Sequence, residues 1–261
     1  MASELLTVDQ LCFTRGGRPL LERVDLTLNA GEALALVGMN GVGKSTLLRC
    51  ITGEWALTSG QVLVGPRELH RYPSDDRARW LGVLPQSSPL TFPFEVHEVI
   101  ALGRYPHRTG IQRDRAILAE AAYACDVNHL LGKPYTACSG GEQQRIQLAR
   151  VLAQIWEPVD ERERILLLDE PVSGLDLSHQ HALFRQMAPL QQQGVGVIFV
   201  VHDLNLAARY ADRIALMDEG KIVCTDTPER VLTVERVQQY FHLDVDIIPH
   251  PTLGCPTVIS R

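Results

Sequence analysis

The sequence predicts an α/β fold organised around a phosphate-binding loop, and three observations predict it. Residues 33–37, 165–168 and 197–201 are short, wholly apolar runs with the length of strands covered on both faces. The first runs directly into Gly38-Met39-Asn40-Gly41-Val42-Gly43-Lys44-Ser45-Thr46, which fits G-x-x-x-x-G-K-[ST]. The other two end on Asp169-Glu170 and His202-Asp203. Those residues fall at the carboxyl ends of strands, where open α/β sheets bind ligands.

Taken in order, residues 5–13 and 24–28 read as two strands about the turn Arg15-Gly16-Gly17-Arg18-Pro19. The apolar run 33–37 follows, then the loop. Gly41 and Gly43 let its backbone turn sharply and bring N–H groups close to phosphate oxygens. Lys44 is placed to reach the β- and γ-phosphates, and the Ser45 hydroxyl to ligate Mg²⁺. Residues 45–51 read as a helix whose positive end faces the anion. Residues 61–64 and 80–84 read as further strands, the second ending at Pro85-Gln86.

From Ser87 helical patterning takes over, with apolar residues at helical spacing in 96–103 and 113–125 and a loop at Gly103-Arg104-Tyr105-Pro106-His107. Ser139 and Glu142 form S-x-x-E, a capping box that opens a helix buried through Ile146, Ala149 and Ala153. Gly140 and Gly141 in its first turn cost about 1 kcal/mol each. They make sense if those backbone amides approach an anion.

Residues 157–164 read as a charged surface loop before the run 165–168. Of the two acids that follow, Asp169 is suited to hold Mg²⁺ and Glu170 to activate or orient water. Residues 171–176 form a tight loop before another helix. His202 follows the third apolar run, a position from which it can donate to a γ-phosphate or to water, although an ordinary strand-end role also fits. Residues 213–218 and 221–225 form a hairpin about Glu219-Gly220, and Thr227-Pro228 opens a helix with a capping Thr and Pro at its first position. Residues 244–261 show no clear period.

Composition narrows the function classes. The chain has 261 residues, 45% of them hydrophobic, and a net charge of −6. There is no basic stripe for nucleic acid and no apolar run near the roughly 20 residues of a membrane span. Met1-Ala2-Ser3-Glu4 lacks the features of a signal peptide. The six cysteines form no C-x-x-C pair and read as reduced thiols, which points to a cytosolic protein. His179 and His181 lie two apart, on different sides of a helix, and do not read as a metal site.

The ordered set of motifs resembles the nucleotide-binding subunit of ATP-binding-cassette transporters over nearly the whole chain. The set is the phosphate loop, Gln86, Ser139-Gly140-Gly141-Glu142-Gln143, Leu168-Asp169-Glu170-Pro171, Ser173-Gly174-Leu175-Asp176 and His202. The resemblance implies a RecA-like P-loop NTPase core with an N-terminal antiparallel β subdomain and an inserted α-helical subdomain. The expected divisions are 1–86 (core and β subdomain), 87–155 (helical), 156–225 (core) and 226–261 (C-terminal helices and tail). It implies Mg²⁺ and ATP, held in two copies at the interface of a head-to-tail homodimer. There the Ser139-Gly140-Gly141 helix end of one copy meets the γ-phosphate gripped by the other. Phe13 is implied to stack on adenine, Gln86 to sense Mg²⁺ and water, His202 to contact the γ-phosphate, and Asp176 to join the catalytic set with Glu170.

The implied partners are a polytopic permease, docking near residues 92–104, and indirectly a periplasmic binding protein. The implied location is the cytoplasmic face of the bacterial inner membrane. Cys138 stands where the family usually has Leu, which predicts a slightly looser interface. The Gly103-to-His107 stretch looks like importers of iron chelates, cobalamin and haem, and the charged loop and tail look most like the haem branch. Ferric-siderophore or cobalamin import is the alternative, and a non-transport ATPase acting on nucleic acid a more distant one.

Overall fold

The computed structural model describes residues 4–86, 90–160 and 162–261. Ser87, the expected start of the helical insertion, lies outside the described residues, as do Met1-Ala2-Ser3 and Glu161. The chain divides into two compact units, Met1–Arg71 with Gly196–Arg261, and Tyr72–Val195.

The first unit begins with β1 (Glu4–Arg15) and β2 (Arg18–Asn29), an antiparallel pair about the Gly16-Gly17 turn. β3 (Ala33–Val37) is buried at every position, as its unbroken apolar run requires. It leads through the phosphate loop into α1 (Lys44–Ile51). β4 (Ser59–Val64) pairs with β1, and the short β5 (Arg67–Glu68) with β4.

In the second unit α2 (Ser74–Trp80) precedes β6 (Leu81–Leu84), so Trp80 closes a helix instead of opening a strand. Buried Trp80 packs edge-on to Tyr72, and Asp75 and Asp76 favour the helix start electrostatically. α3 (Val96–Ala101) continues into a 3₁₀ turn at Leu102–Arg104, where the sequence reads as passing from helix to loop at Gly103. α4 (Ile111–Ala124) and α5 (Gly140–Gln154) follow. α5 buries Ile146, Ala149 and Ala153 completely.

The expected loop from Gly103 is a clasp on the last turn of α5. A Cβ on Gly103 would lie 2.1 Å from the Arg150 carbonyl oxygen, so only glycine fits there. Arg104 donates to the Ala153 carbonyl at 2.9 Å, and the His107 ring meets the Gln154 carbonyl at 2.7 Å. Arg164, expected on a charged surface loop, is only 2% exposed. It donates to the carbonyls of Ile155 and Trp156 just beyond the same helix. These groups satisfy carbonyls that a helix C-terminus leaves without intrahelical partners.

β7 (Ile165–Asp169) is wholly buried and runs parallel to β6, with Leu84 opposite Leu168. α6 (Leu177–Arg185) and α7 (Met187–Gln192) complete the unit.

The chain returns to the first unit with β8 (Gly196–Val200) and α8 (Leu204–Tyr210). β9 (Arg213–Asp218) pairs antiparallel with β10 (Lys221–Asp226). β3 lies between β8 and β9, parallel to both, with Ala35 opposite Phe199 on one side and Ile214 on the other. α9 (Pro228–Val231) has its proline at the first position, but the Thr227 side chain makes no capping bond. After α10 (Val234–Phe241) the segment with no readable period forms an antiparallel hairpin, β11 (Val245–Pro249) and β12 (Pro256–Ser260).

Candidate active site

In the first unit the loop after β3 has φ of 152° at Gly38, 82° at Gly41 and 111° at Gly43, values costly for any side chain. Gly38 is required twice over, because a Cβ there would lie 2.2 Å from the Met217 carbonyl oxygen of β9. Lys44 is 6% exposed, and its Nζ donates to the carbonyls of Gly38 at 2.8 Å and Met39 at 2.9 Å. The loop thus closes around the Lys44 ammonium and holds it by two backbone carbonyls. Asn40 and Gly41 are exposed, and Val42, Ser45 and Thr46 are half-buried.

His202 follows β8 and is exposed. Asp203 caps α8, accepting from the amides of Asn205 at 2.7 Å and Leu206 at 3.2 Å.

Phe13 is only 8% exposed. Trp55 stacks on it at 5.2 Å and 17°, and the guanidinium groups of Arg15 and Arg49 each lie 4.9 Å from the Trp55 ring centre. Sequence reasoning singled out Phe13 and did not single out Trp55, which stacks on it. The two are brought together by β1–β4 pairing, which sets Cys12 opposite Ser59, and no local pattern announces that register.

In the second unit the parallel pairing of Leu84 with Leu168 brings the strand ends into register. Two residues beyond each, the Gln86 amide donates to the Glu170 carboxylate at 2.8 Å. Glu170 has φ of 50°, a strained conformation of the kind that clusters at functional sites. Asp169, at the end of β7, is 7% exposed.

Ser139 and Glu142 form the expected reciprocal box. The Ser139 Oγ accepts from the Glu142 amide at 3.3 Å, and the Glu142 carboxylate accepts from the Ser139 amide at 2.7 Å. The Ser139 backbone bond holds the Glu142 carboxyl below its usual range. Ser139 and Gly140 are exposed, and nothing lies within 4 Å of a Cβ built on Gly140. The chain itself therefore does not demand glycine there. On Gly141 a Cβ would come within 3.2 Å of a Leu175 methyl. Cys138 is buried, and that burial raises its thiol pKa.

Asp176 is the N-cap of α6. It accepts from the His179 amide at 3.0 Å, the Ser178 hydroxyl at 2.9 Å and the His179 ring at 2.7 Å. The His179 amide, then the Ser178 hydroxyl and the His179 ring, draw its pKa down to about 2.

The ABC transporter family model matches residues 21–173, more than half of the chain. The chain belongs to the ABC transporter family. Among curated relatives, the Hemin import ATP-binding protein HmuV of Pseudomonas entomophila is 46% identical over 98% of this chain and 100% of its own length. The protein of the same name from Gloeobacter violaceus is 49% identical over 93% of this chain and 89% of its own. Among solved structures, a metal-chelate type ABC transporter in an inward-facing conformation superposes with a TM-score of 0.81 at 26% identity, covering 99% of this chain and 98% of that one. The cbiO1 protein of Clostridium perfringens, part of the complex cbiONQ, has a TM-score of 0.76 at 25% identity over 91% and 94%. The ABC fold is therefore the P-loop NTPase architecture that the motifs imply, and the chain is an ATPase of that family. Among the described residues no helix is long and apolar enough to cross a membrane, and all six cysteines are free.

Proposed function

We propose that this ABC ATPase powers haem import through a partner permease at the cytoplasmic face of the inner membrane, supplied by a periplasmic haem-binding protein. The observation that carries the cargo is near-full-length identity of 46% to a relative named for hemin import. Two copies of the chain act head to tail. In each, the backbone amides of the loop from Gly38 to Thr46 and the Lys44 ammonium grip the β- and γ-phosphates. The partner copy's helix start at Ser139-Gly140-Gly141-Glu142 closes over the γ-phosphate. The open space beside Gly140 supports that reading.

The Ser45 hydroxyl and the buried Asp169 carboxylate are oxygen donors of the kind Mg²⁺ prefers, and they are the residues that would hold it. When bound, that ion neutralises charge on the β- and γ-oxygens. Glu170 accepts the proton of the attacking water, with Gln86 orienting its carboxylate through the 2.8 Å bond. His202 donates to the γ-phosphate. Phe13, backed by Trp55, takes the adenine face. The Asp176 carboxylate is spent on its own helix, so its part is to set the geometry of the loop around it.

The test is growth. Cells lacking this chain, given haem as sole iron source, should regain growth with the wild-type chain and not with Glu170→Gln. Rescue on a ferric siderophore or on cobalamin, with none on haem, would reassign the cargo and leave the ATPase reading intact.

A further inference from the structure

The C-terminal hairpin has a specific attachment that the transport reading does not use. In an antiparallel pair, successive residues point their N–H and C=O groups alternately toward and away from the partner strand. Val258 of β12 points both away from β11 and gives both to one side chain. The Val258 amide donates to the Asn205 Oδ1 at 2.8 Å, and the Asn205 Nδ2 donates to the Val258 carbonyl at 3.1 Å. Asn205 thus behaves as a one-residue strand added to the edge of the hairpin. The hairpin is further tied by Arg261, which donates to the Asp244 carbonyl at 3.0 Å and pairs with the Asp246 carboxylate.

Asn205 lies three residues after His202. On the strand side of His202, Val201 donates to the Leu36 carbonyl of β3 at 3.4 Å. On the helix side, Asp203 turns the chain into α8 by accepting from Asn205 and Leu206. His202 is therefore suspended between a core strand and a helix start, and the helix start is the end that the hairpin grips. His202 and Asp203 are exposed.

We infer that Asn205 is a positioning residue for ATP hydrolysis: by latching the C-terminal hairpin to the start of α8, it holds His202 in the orientation that meets the γ-phosphate. The inference rests on the role proposed for His202. The hairpin is then a working part of the ATPase. A signal that undocked β12 would slow hydrolysis without touching nucleotide affinity.

The test uses the full-length chain. Asn205→Ala removes the latch from the helix side. Val258→Pro removes the donor from the hairpin side, where no β11 ladder bond is lost. Each should lower kcat by up to about tenfold, the factor that one or two exposed hydrogen bonds can carry, with KM for ATP within about twofold. The imidazole Cε1–H resonance of His202, assigned by its loss in His202→Ala, should shift in both variants. Ile259→Thr, at an exposed β12 position whose backbone groups face β11, should leave kcat and that resonance in place.

An unmoved His202 resonance in Asn205→Ala, or a wild-type kcat, overturns the inference. So does a fall in kcat matched by Ile259→Thr, which would reveal general loosening. If His202→Ala itself hydrolyses ATP at the wild-type rate, the assignment of His202 fails first, and that result is distinguishable from failure of the latch alone.

Discussion

Arg104→Ala should destabilise the second unit by about 3 kcal/mol, and each part of that figure can be traced to a contact. The Arg104 side chain is 4% exposed and its partner Asp114 26%. The guanidinium donates to Asp114 at 2.8 Å, to the Ala153 carbonyl at 2.9 Å and to the Thr109 hydroxyl at 2.9 Å. Removing one member of a buried ion pair costs about 3–5 kcal/mol, because the other charge is left without compensation. Asp114 is a quarter exposed and can hydrate in part, which selects the lower end. The Ala153 carbonyl loses its donor as well, but water entering the vacated space takes over that bond and offsets its cost.

For a chain of this size about 1 kcal/mol moves Tm by roughly 2–4 °C, so calorimetry should find a fall of roughly 6–12 °C. Burial alone would raise the Asp114 carboxyl, but the hydrogen bonds from Arg104 and Thr109 and the Arg104 charge outweigh it and hold it below the ordinary value. A depressed folded value stabilises fully above the unfolded value of about 4 and loses that contribution as pH falls through the folded one. The gap between wild type and variant should therefore persist from neutral pH to about 5 and narrow below about 4. A fall in Tm of less than about 2 °C at pH 7 would refute the reasoning, since it would mean that Asp114 is as well satisfied by water.

The sequence was legible where local chemistry and burial agree. The three apolar runs became buried parallel strands because a doubly covered sheet suits four or five apolar residues in a row. The Ser139–Glu142 box formed as spaced, since both of its hydrogen bonds lie within one helical turn. Several misreadings concern contacts that lie outside the local pattern. Arg164 reads as surface because its neighbours are charged, yet it is held by the Ile155 and Trp156 carbonyls. Gly103-Arg104-Tyr105-Pro106-His107 reads as a loop because glycine and proline interrupt it, and its purpose is set by α5, about 50 residues on. The tail has no visible period because its hairpin buries only Val245 and Pro256, too little to impose alternation, and prolines at 249 and 256 frame its turn. In the candidate site, the Gln86–Glu170 contact could be anticipated only once the β6–β7 register was known.

Two further outcomes can be checked. Mixing Ser139→Arg chains with Lys44→Ala chains should restore ATP hydrolysis above either alone, because each heterodimer keeps one intact composite site; no gain in any mixture would overturn the expectation that one intact composite site suffices and would mean either that both sites must be intact at once or that the copies are arranged differently. His107 predicts a pH dependence of stability. Burial, reinforced by the neighbouring Arg104 charge, lowers its pKa against the opposing pull of the Gln154 carbonyl. The folded chain therefore holds the neutral ring, with the proton on Nε2 donated to Gln154 at 2.7 Å. Unfolded, the ring takes up a proton near its ordinary value of about 6.5. Between that value and the lowered folded one the unfolded state binds more protons, so stability must rise with pH across this window and flatten above it. Thermal melts of wild type and His107→Gln from pH 5 to 8 should converge toward the acid end and separate above pH 6.5. Parallel curves would mean that the ring at position 107 is protonated equally in both states, and that the last turn of α5 is capped without regard to its charge.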